Sequence, residues 1–223
     1  MKLLKKGLIV SCQAEEGSPF NSAPLIAAFA KAAELGGAIG VRIRDVENVK
    51  AASLSVELPI IALTKGHFDS GKVLITPTLD DVLKLVDAGA TLIAVDATPR
   101  RRPSGMSGVE FLHQVKSKIS NPVVADISNL QEGLAAVEEG ADFVATTLSG
   151  YVEETLEPPE EPDFEIIKQI TAKTKTPVIA EGRIWTPEQA RLAIQSGAYA
   201  VCVGTAITRP IAIVEKFATA LLK

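Results

Sequence analysis

The sequence predicts an eight-stranded parallel (β/α) barrel, an α/β fold of the TIM type, and three patterns carry that expectation. Eight apolar, strand-sized runs stand at 8–13, 38–43, 59–65, 91–96, 122–127, 142–147, 177–181 and 199–204. They are continuous rather than alternating, as parallel strands covered on both faces must be. Helix-period segments such as 24–36, 79–89, 129–140 and 187–197 lie between them, so strand and helix alternate along the chain. The third pattern is punctuation. A Gly-Ala pair closes a helix and opens a strand at 37/38, 89/90, 140/141 and 197/198, and Pro59, Pro122 and Pro177 open the intervening strands. The pairs recur roughly every 50 residues, one unit of two strands and two helices.

Each piece of punctuation has a physical reason. Glycine supplies the left-handed residue that ends a helix, and proline suits the first residue of a strand, where no ladder donor is needed. Helix starts agree: Thr78/Asp81, Ser107/Glu110, Ser128/Gln131 and Thr186/Gln189 each fit a capping box, with Pro187 at the favoured first helical position. Four units give eight βα pairs in 223 residues, the usual length of one closed barrel. An open doubly wound sheet would carry a glycine-rich dinucleotide loop after the first strand, and "SCQAEEG" is not one. The expectation is a single domain over 1–223, with one oversized acidic loop at 148–163 after strand six.

Composition narrows the function classes. Lys+Arg 23 against Asp+Glu 27 gives a net charge of −4 with no basic block, which argues against nucleic acid or an anionic membrane as partner. The longest apolar stretches are strand-sized, and "MKLLKKGLIVSCQAEEG" lacks a cleavage pattern, so a cytoplasmic protein is expected. Cys12 and Cys202 both sit in apolar runs, where reduced thiols behave as small buried hydrophobes. His67 and His113 are too few and too scattered for a histidine zinc site.

In such a barrel the C-terminal strand ends form the active face. Strand one ends at Gln13, two at Arg42 or Arg44, three at Lys65, four at Asp96, five at Asp126, six at Thr146 and Thr147, seven at Glu181, and eight at Gly204 and Thr205. The opposite ends carry Pro, Gly and Ala. Any one polar strand end is commonly a solvated residue or a salt-bridge partner. Eight at one mouth serve stability poorly, because buried charges cost several kcal/mol unless paired. After strand eight, "VGTAITRP" joins "EGRI" as a candidate phosphate grip. Gly182, Gly204 and Thr205 would supply backbone donors, and Arg183 or Arg209 a charge-assisted pair.

Taken together, "SCQA" at 11–14, "ITPT" at 75–78, "DAT" with "RRRP" at 96–103, "ADIS" at 125–128, "TTLSGY" at 146–151, "EGRI" at 181–184 and "AITRP" at 206–210 resemble the N-acetylmannosamine-6-phosphate 2-epimerases of bacterial sialic-acid catabolism. The resemblance spans nearly the whole chain. It implies a (β/α) barrel, no metal or organic cofactor, a phosphorylated amino-sugar substrate and, by family habit, a homodimer. It places the catalytic lysine on Lys65 and the acid on Glu181, sugar contacts on Gln13, Arg42 and Asp126, and phosphate loops on Gly182, Gly204, Thr205 and Arg209.

Inverting carbon 2 of such a sugar requires a base, a route to the second face, and donors for a developing oxyanion. Lys65 is a base only when neutral; a partly dry mouth would lower its pKa, while a nearby Glu181, expected to pair with it, would raise it. A lysine at a strand end also suits a Schiff-base aldolase. A non-catalytic phosphosugar-binding barrel is the third reading, and a structural Lys65–Glu181 ion pair would fit it.

Overall fold

The computed structural model describes residues 4–66, 72–153 and 160–222. Its eight parallel strands close on themselves: β1 (Gly7–Cys12), β2 (Gly40–Arg44), β3 (Ile60–Leu63), β4 (Leu92–Asp96), β5 (Val123–Asp126), β6 (Phe143–Ala145), β7 (Val178–Glu181) and β8 (Ala200–Val203). Pairing of Ile9 with Cys202 completes the ring between β1 and β8. All eight expected runs become strands, each within a few residues of its expected bounds. Around them lie α1 (Ala23–Leu35), α2 (Val46–Ser53), α3 (Leu79–Asp87), α4 (Gly108–Lys118), α5 (Leu130–Glu138), α6 (Phe164–Lys173) and α7 (Pro187–Gln195). A four-residue α8 (Thr205–Thr208) and then α9 (Pro210–Leu221) end the described chain.

The repeat works as its chemistry requires. Gly37, Gly89, Gly140 and Gly197 all adopt left-handed backbone, with φ from 84° to 108°. Reciprocal capping boxes form at Thr78/Asp81, Ser107/Glu110 and Thr186/Gln189. The fourth moves by one residue. Asn129, not Ser128, caps α5 by accepting from the Glu132 N–H, while the Glu132 carboxylate accepts from the Ser128 N–H and hydroxyl. Asparagine's shorter reach to the third helical amide wins here, and Ser128 is left holding the loop.

Strand residues alternate between two apolar layers. Val10, Val41, Ile60, Ile93, Val123, Val144, Val178 and Val201 face the helices, whereas Ile9, Ile61, Leu92, Val124, Phe143, Ile179 and Ala200 fill the barrel. This period-two rule decides the site. Two steps beyond Ile9, Leu63, Val124, Ile179 and Ala200 come Ser11, Lys65, Asp126, Glu181 and Cys202, all with interior parity at the C-terminal mouth.

One helix departs from the pattern. α9 carries no buried residue, and Val214, Phe217 and Leu221 are exposed on it. Among the described residues no helix is long and apolar enough to cross a membrane.

Candidate active site

Arg42 is the electrostatic centre of the mouth. Its guanidinium is fully buried and forks onto Asp126, with Nη1 donating to Oδ1 at 3.0 Å and Nη2 to Oδ2 at 2.8 Å. Nη1 also lies 3.2 Å from Oε2 of Glu181. Thr147 donates a further hydroxyl bond to Asp126 Oδ1. Burial works against Arg42's charge, but Asp126 and Glu181 more than reverse it, so the group is held cationic. Burial pushes the Asp126 carboxyl upward and Arg42 opposes that push.

A cavity of about 480 Å³ opens above this cluster. Ser11, Gln13, Lys65, Leu74, Ile75, Thr147, Glu181 and Cys202 line its floor and one wall; Gly182, Arg183, Trp185, Gly204, Thr205 and Arg209 line the rest. The volume suits a metabolite of sugar-phosphate size. Lys65 and Glu181, read from sequence as an acid–base pair, therefore share one cavity. Their relation differs from the expected one: Glu181's ion pair is with Arg42, and among the described residues Lys65 makes no hydrogen bond or salt bridge. The Glu181 backbone is pinned at both ends by Thr146, whose hydroxyl accepts from its N–H and donates to its C=O.

The expected contest over the Lys65 ammonium is settled downward. Burial lowers its pKa, the Arg42 charge lowers it further, and Glu181 raises it. Because Arg42 offsets the carboxylate charge beside it, the lowering influences prevail although part of the Lys65 side chain is exposed.

The other expected residues fall as follows. Gln13 is buried and donates from Nε2 to Ser11 Oγ at 2.9 Å, which leaves its carbonyl oxygen for the cavity. Gly204 caps the short α8, and Thr205 opens it. Arg209 lines the cavity with Nε 3.9 Å from Glu15 Oε1, a loose contact that leaves its guanidinium open to an anion. Arg183 has a different occupation: Nη1 donates to the Ser149 carbonyl at 2.6 Å and Nε to that of Glu161 at 2.8 Å. Its left-handed backbone, φ 57°, turns the side chain toward the loop after β6, which it ties down. Arg44 bonds its own neighbour Asp45.

Ser11, Leu74, Ile75 and Cys202 were not singled out from sequence as lining the site. Strand parity would have found Ser11 and Cys202; Leu74 and Ile75 arrive on a loop that no strand pattern places. Burial raises the Cys202 thiol well above its ordinary range, with the Glu181 charge adding to it, so it stays protonated. Trp185 lines the cavity and carries Lys216 Nζ 4.0 Å from its ring centroid. Tyr151 lines it too, with the Arg183 guanidinium 5.6 Å from its ring. Part of the acidic loop, 154–159, and His67 lie outside the described residues. Among the described residues no group of three or more His, Cys, Asp or Glu side chains could hold a metal ion.

A family model described as NanE, "Putative N-acetylmannosamine-6-phosphate epimerase", matches residues 26–223. The chain belongs to this family. A relative from Caldanaerobacter subterraneus, named "Putative N-acetylmannosamine-6-phosphate 2-epimerase", is 48% identical over 97% of this chain and 91% of its own. The solved N-acetylmannosamine-6-phosphate 2-epimerase of Clostridium perfringens superposes with a TM-score of 0.92 at 38% identity, covering 97% of this chain and 94% of that one. Thiamine phosphate pyrophosphorylase from Pyrococcus furiosus shares the fold alone, at 17% identity and a TM-score of 0.64 over 99% of this chain and 98% of that one.

Proposed function

We propose that this NanE-family isomerase interconverts N-acetylmannosamine 6-phosphate and N-acetylglucosamine 6-phosphate by moving the proton at carbon 2. The observation that carries the reading is that Lys65 and Glu181 share one cavity, the amine making no hydrogen bond or ion pair among the described residues and being held below its ordinary pKa by its packing and the Arg42 charge. In the open-chain sugar, carbon 2 lies next to the aldehyde. The neutral Lys65 amine takes the carbon 2 proton, and the C–H electron pair moves into the carbonyl to give an enolate. Return of a proton to the opposite face inverts the centre. The Arg42 contact orients Glu181 beside the sugar as an acceptor for a hydroxyl proton during ring opening. Gln13 faces the hydroxyls and N-acetyl group, while Arg42 and Asp126, expected to touch the sugar, lie buried behind the cavity lining and act on it through Glu181. Gly182, Gly204, Thr205 and Arg209 grip the phosphate, with Arg183 fixing the loop beside them.

Proton NMR of N-acetylmannosamine 6-phosphate with the protein in heavy water tests this. Solvent deuterium should enter carbon 2 of the N-acetylglucosamine product, and Lys65→Ala should lower kcat about 100- to 10,000-fold while ligand affinity persists. A lysine adduct trapped by borohydride would instead establish the Schiff-base reading. The proposal includes a homodimer, supported by the bare apolar side of α9, and sedimentation velocity checks it.

A further inference from the structure

A second fully buried arginine, Arg102, lies outside the cavity. Its Nη1 donates to the carbonyls of Thr76, at 3.2 Å, and Pro77, at 3.3 Å, and its Nη2 to the carbonyl of Asp96. The guanidinium carbon stands 3.9 Å from the centroid of the Phe111 ring. A buried cation whose hydrogen bonds all go to main-chain oxygens, with Nε left unpartnered, fixes backbone, and the backbone it fixes is the return limb of the β3–α3 loop.

That limb is held on both sides. Toward β4, the Asp96 carboxylate accepts from the Leu74 N–H at 3.0 Å, and the Asp96 N–H donates to the Ile75 carbonyl at 3.1 Å. Toward β3, the Thr76 N–H donates to the Thr64 carbonyl at 3.0 Å, and the Thr76 hydroxyl accepts from the Thr64 N–H at 3.2 Å. Thr76 itself sits at φ 44°, an uncommon conformation for a β-branched residue that its surroundings must enforce. Thr64 immediately precedes Lys65, and Leu74 and Ile75 form the cavity wall beside it.

We infer that Arg102 is a positioning residue for Lys65: through Thr76 and Thr64 it clamps residues 72–78 against β3 and so fixes where the amine enters the cavity. The inference rests on Lys65 being the base. It predicts a readout that a purely structural arginine would not move. With the wall loosened, the Lys65 amine is free to swing away from the Arg42 charge and the packed wall that hold its pKa down, so its pKa rises. A base acts when deprotonated, so the rising limb of the kcat/KM–pH profile should move to higher pH.

The test uses Arg102→Met and Arg102→Lys, and independently Thr76→Val, which removes the hydroxyl strap without touching Arg102. The full-length proteins are compared with the parent by circular dichroism and thermal melting. The Lys65 pKa is read without activity, from the pH dependence of Lys65 acetylation by acetic anhydride, followed by mass spectrometry. Arg102→Met and Thr76→Val should shift both the acetylation midpoint and the kcat/KM limb upward by about one pH unit. The kcat should fall about tenfold with a smaller change in KM, and Arg102→Lys should recover part of each. Should Arg102→Met fail to fold, Thr76→Val decides. Folded variants with unchanged midpoints and kcat, differing only in melting temperature, would overturn the inference. Retained turnover in Lys65→Ala would instead defeat the proposed chemistry, while the acetylation midpoint would still report on the clamp.

Discussion

Arg42 and Arg102 are both fully buried and each leaves its Nε without a partner, yet their other nitrogens are held in opposite ways. Arg42 faces two carboxylates inside the barrel and is held firmly cationic. Arg102 has carbonyl oxygens and one aromatic face, and burial pushes it down to about 10, with Asp96 opposing. It still carries its charge at neutral pH. The difference teaches what each cation is for. Of the carboxylates around Arg42, Glu181 lines the cavity and Asp126 lies buried behind the lining, so that cluster sets the local field; carbonyls gathered around Arg102 are chain path, so that cation sets shape.

Substitutions can separate the two. The largest stability loss should follow Arg42→Met, which strands Asp126 and Glu181 without a counter-charge and should cost about 3 to 5 kcal/mol in urea unfolding. Adding Asp126→Asn should recover part of it; a single mutant as stable as the parent would contradict the ion cluster. Gly108→Ala tests the Arg102 side next. A Cβ there would stand 2.3 Å from the Ala97 carbonyl carbon, so the β4–α4 turn must shift, at about 3 kcal/mol. Crystallography of this variant should show 72–78 displaced and the Arg42 fork intact. Thr147→Val removes one hydroxyl from Asp126 and should cost about 2 kcal/mol with kcat reduced, since that hydroxyl serves the field. Phe111→Leu should be mildest, about 1 kcal/mol, and should reduce stability before it touches chemistry.

The sequence revealed the two regions unequally. Continuous apolar strands, a recurring Gly-Ala pair and polar strand ends made the barrel and its mouth readable, because each is a short-range pattern with a fixed period. Lys65, Asp126 and Glu181 could be placed at the rim for that reason. Who pairs with whom could not. Glu181 was expected to face Lys65, but Arg42, on the interior parity of β2, reaches it instead, and only closure of the ring sets that distance. Arg183, read as a phosphate ligand, lines the cavity and also bonds the loop after β6, a second role whose partners lie too far along the chain to leave a local pattern. Arg102 in "RRRP" was indistinguishable from Arg100, paired with Asp96, and from exposed Arg101, since two of the carbonyls it holds belong to a segment some 25 residues earlier. The shift of the α5 cap from Ser128 to Asn129 is smaller but of the same kind: two adjacent residues can each cap, and local geometry chooses.

The fork between Arg42 and Asp126 spans 84 positions of chain, and Glu181 is contributed by the seventh strand. A polypeptide emerging from the ribosome thus carries a lone guanidinium long before its first acidic counterpart exists, and the second arrives only near the end of synthesis. No fragment ending before β7 can bring the three charges together. Closure of the ring waits for β8 to reach β1, after both carboxylates exist, so a half-barrel of β1–β4 must leave its cation hydrated and its interior wet.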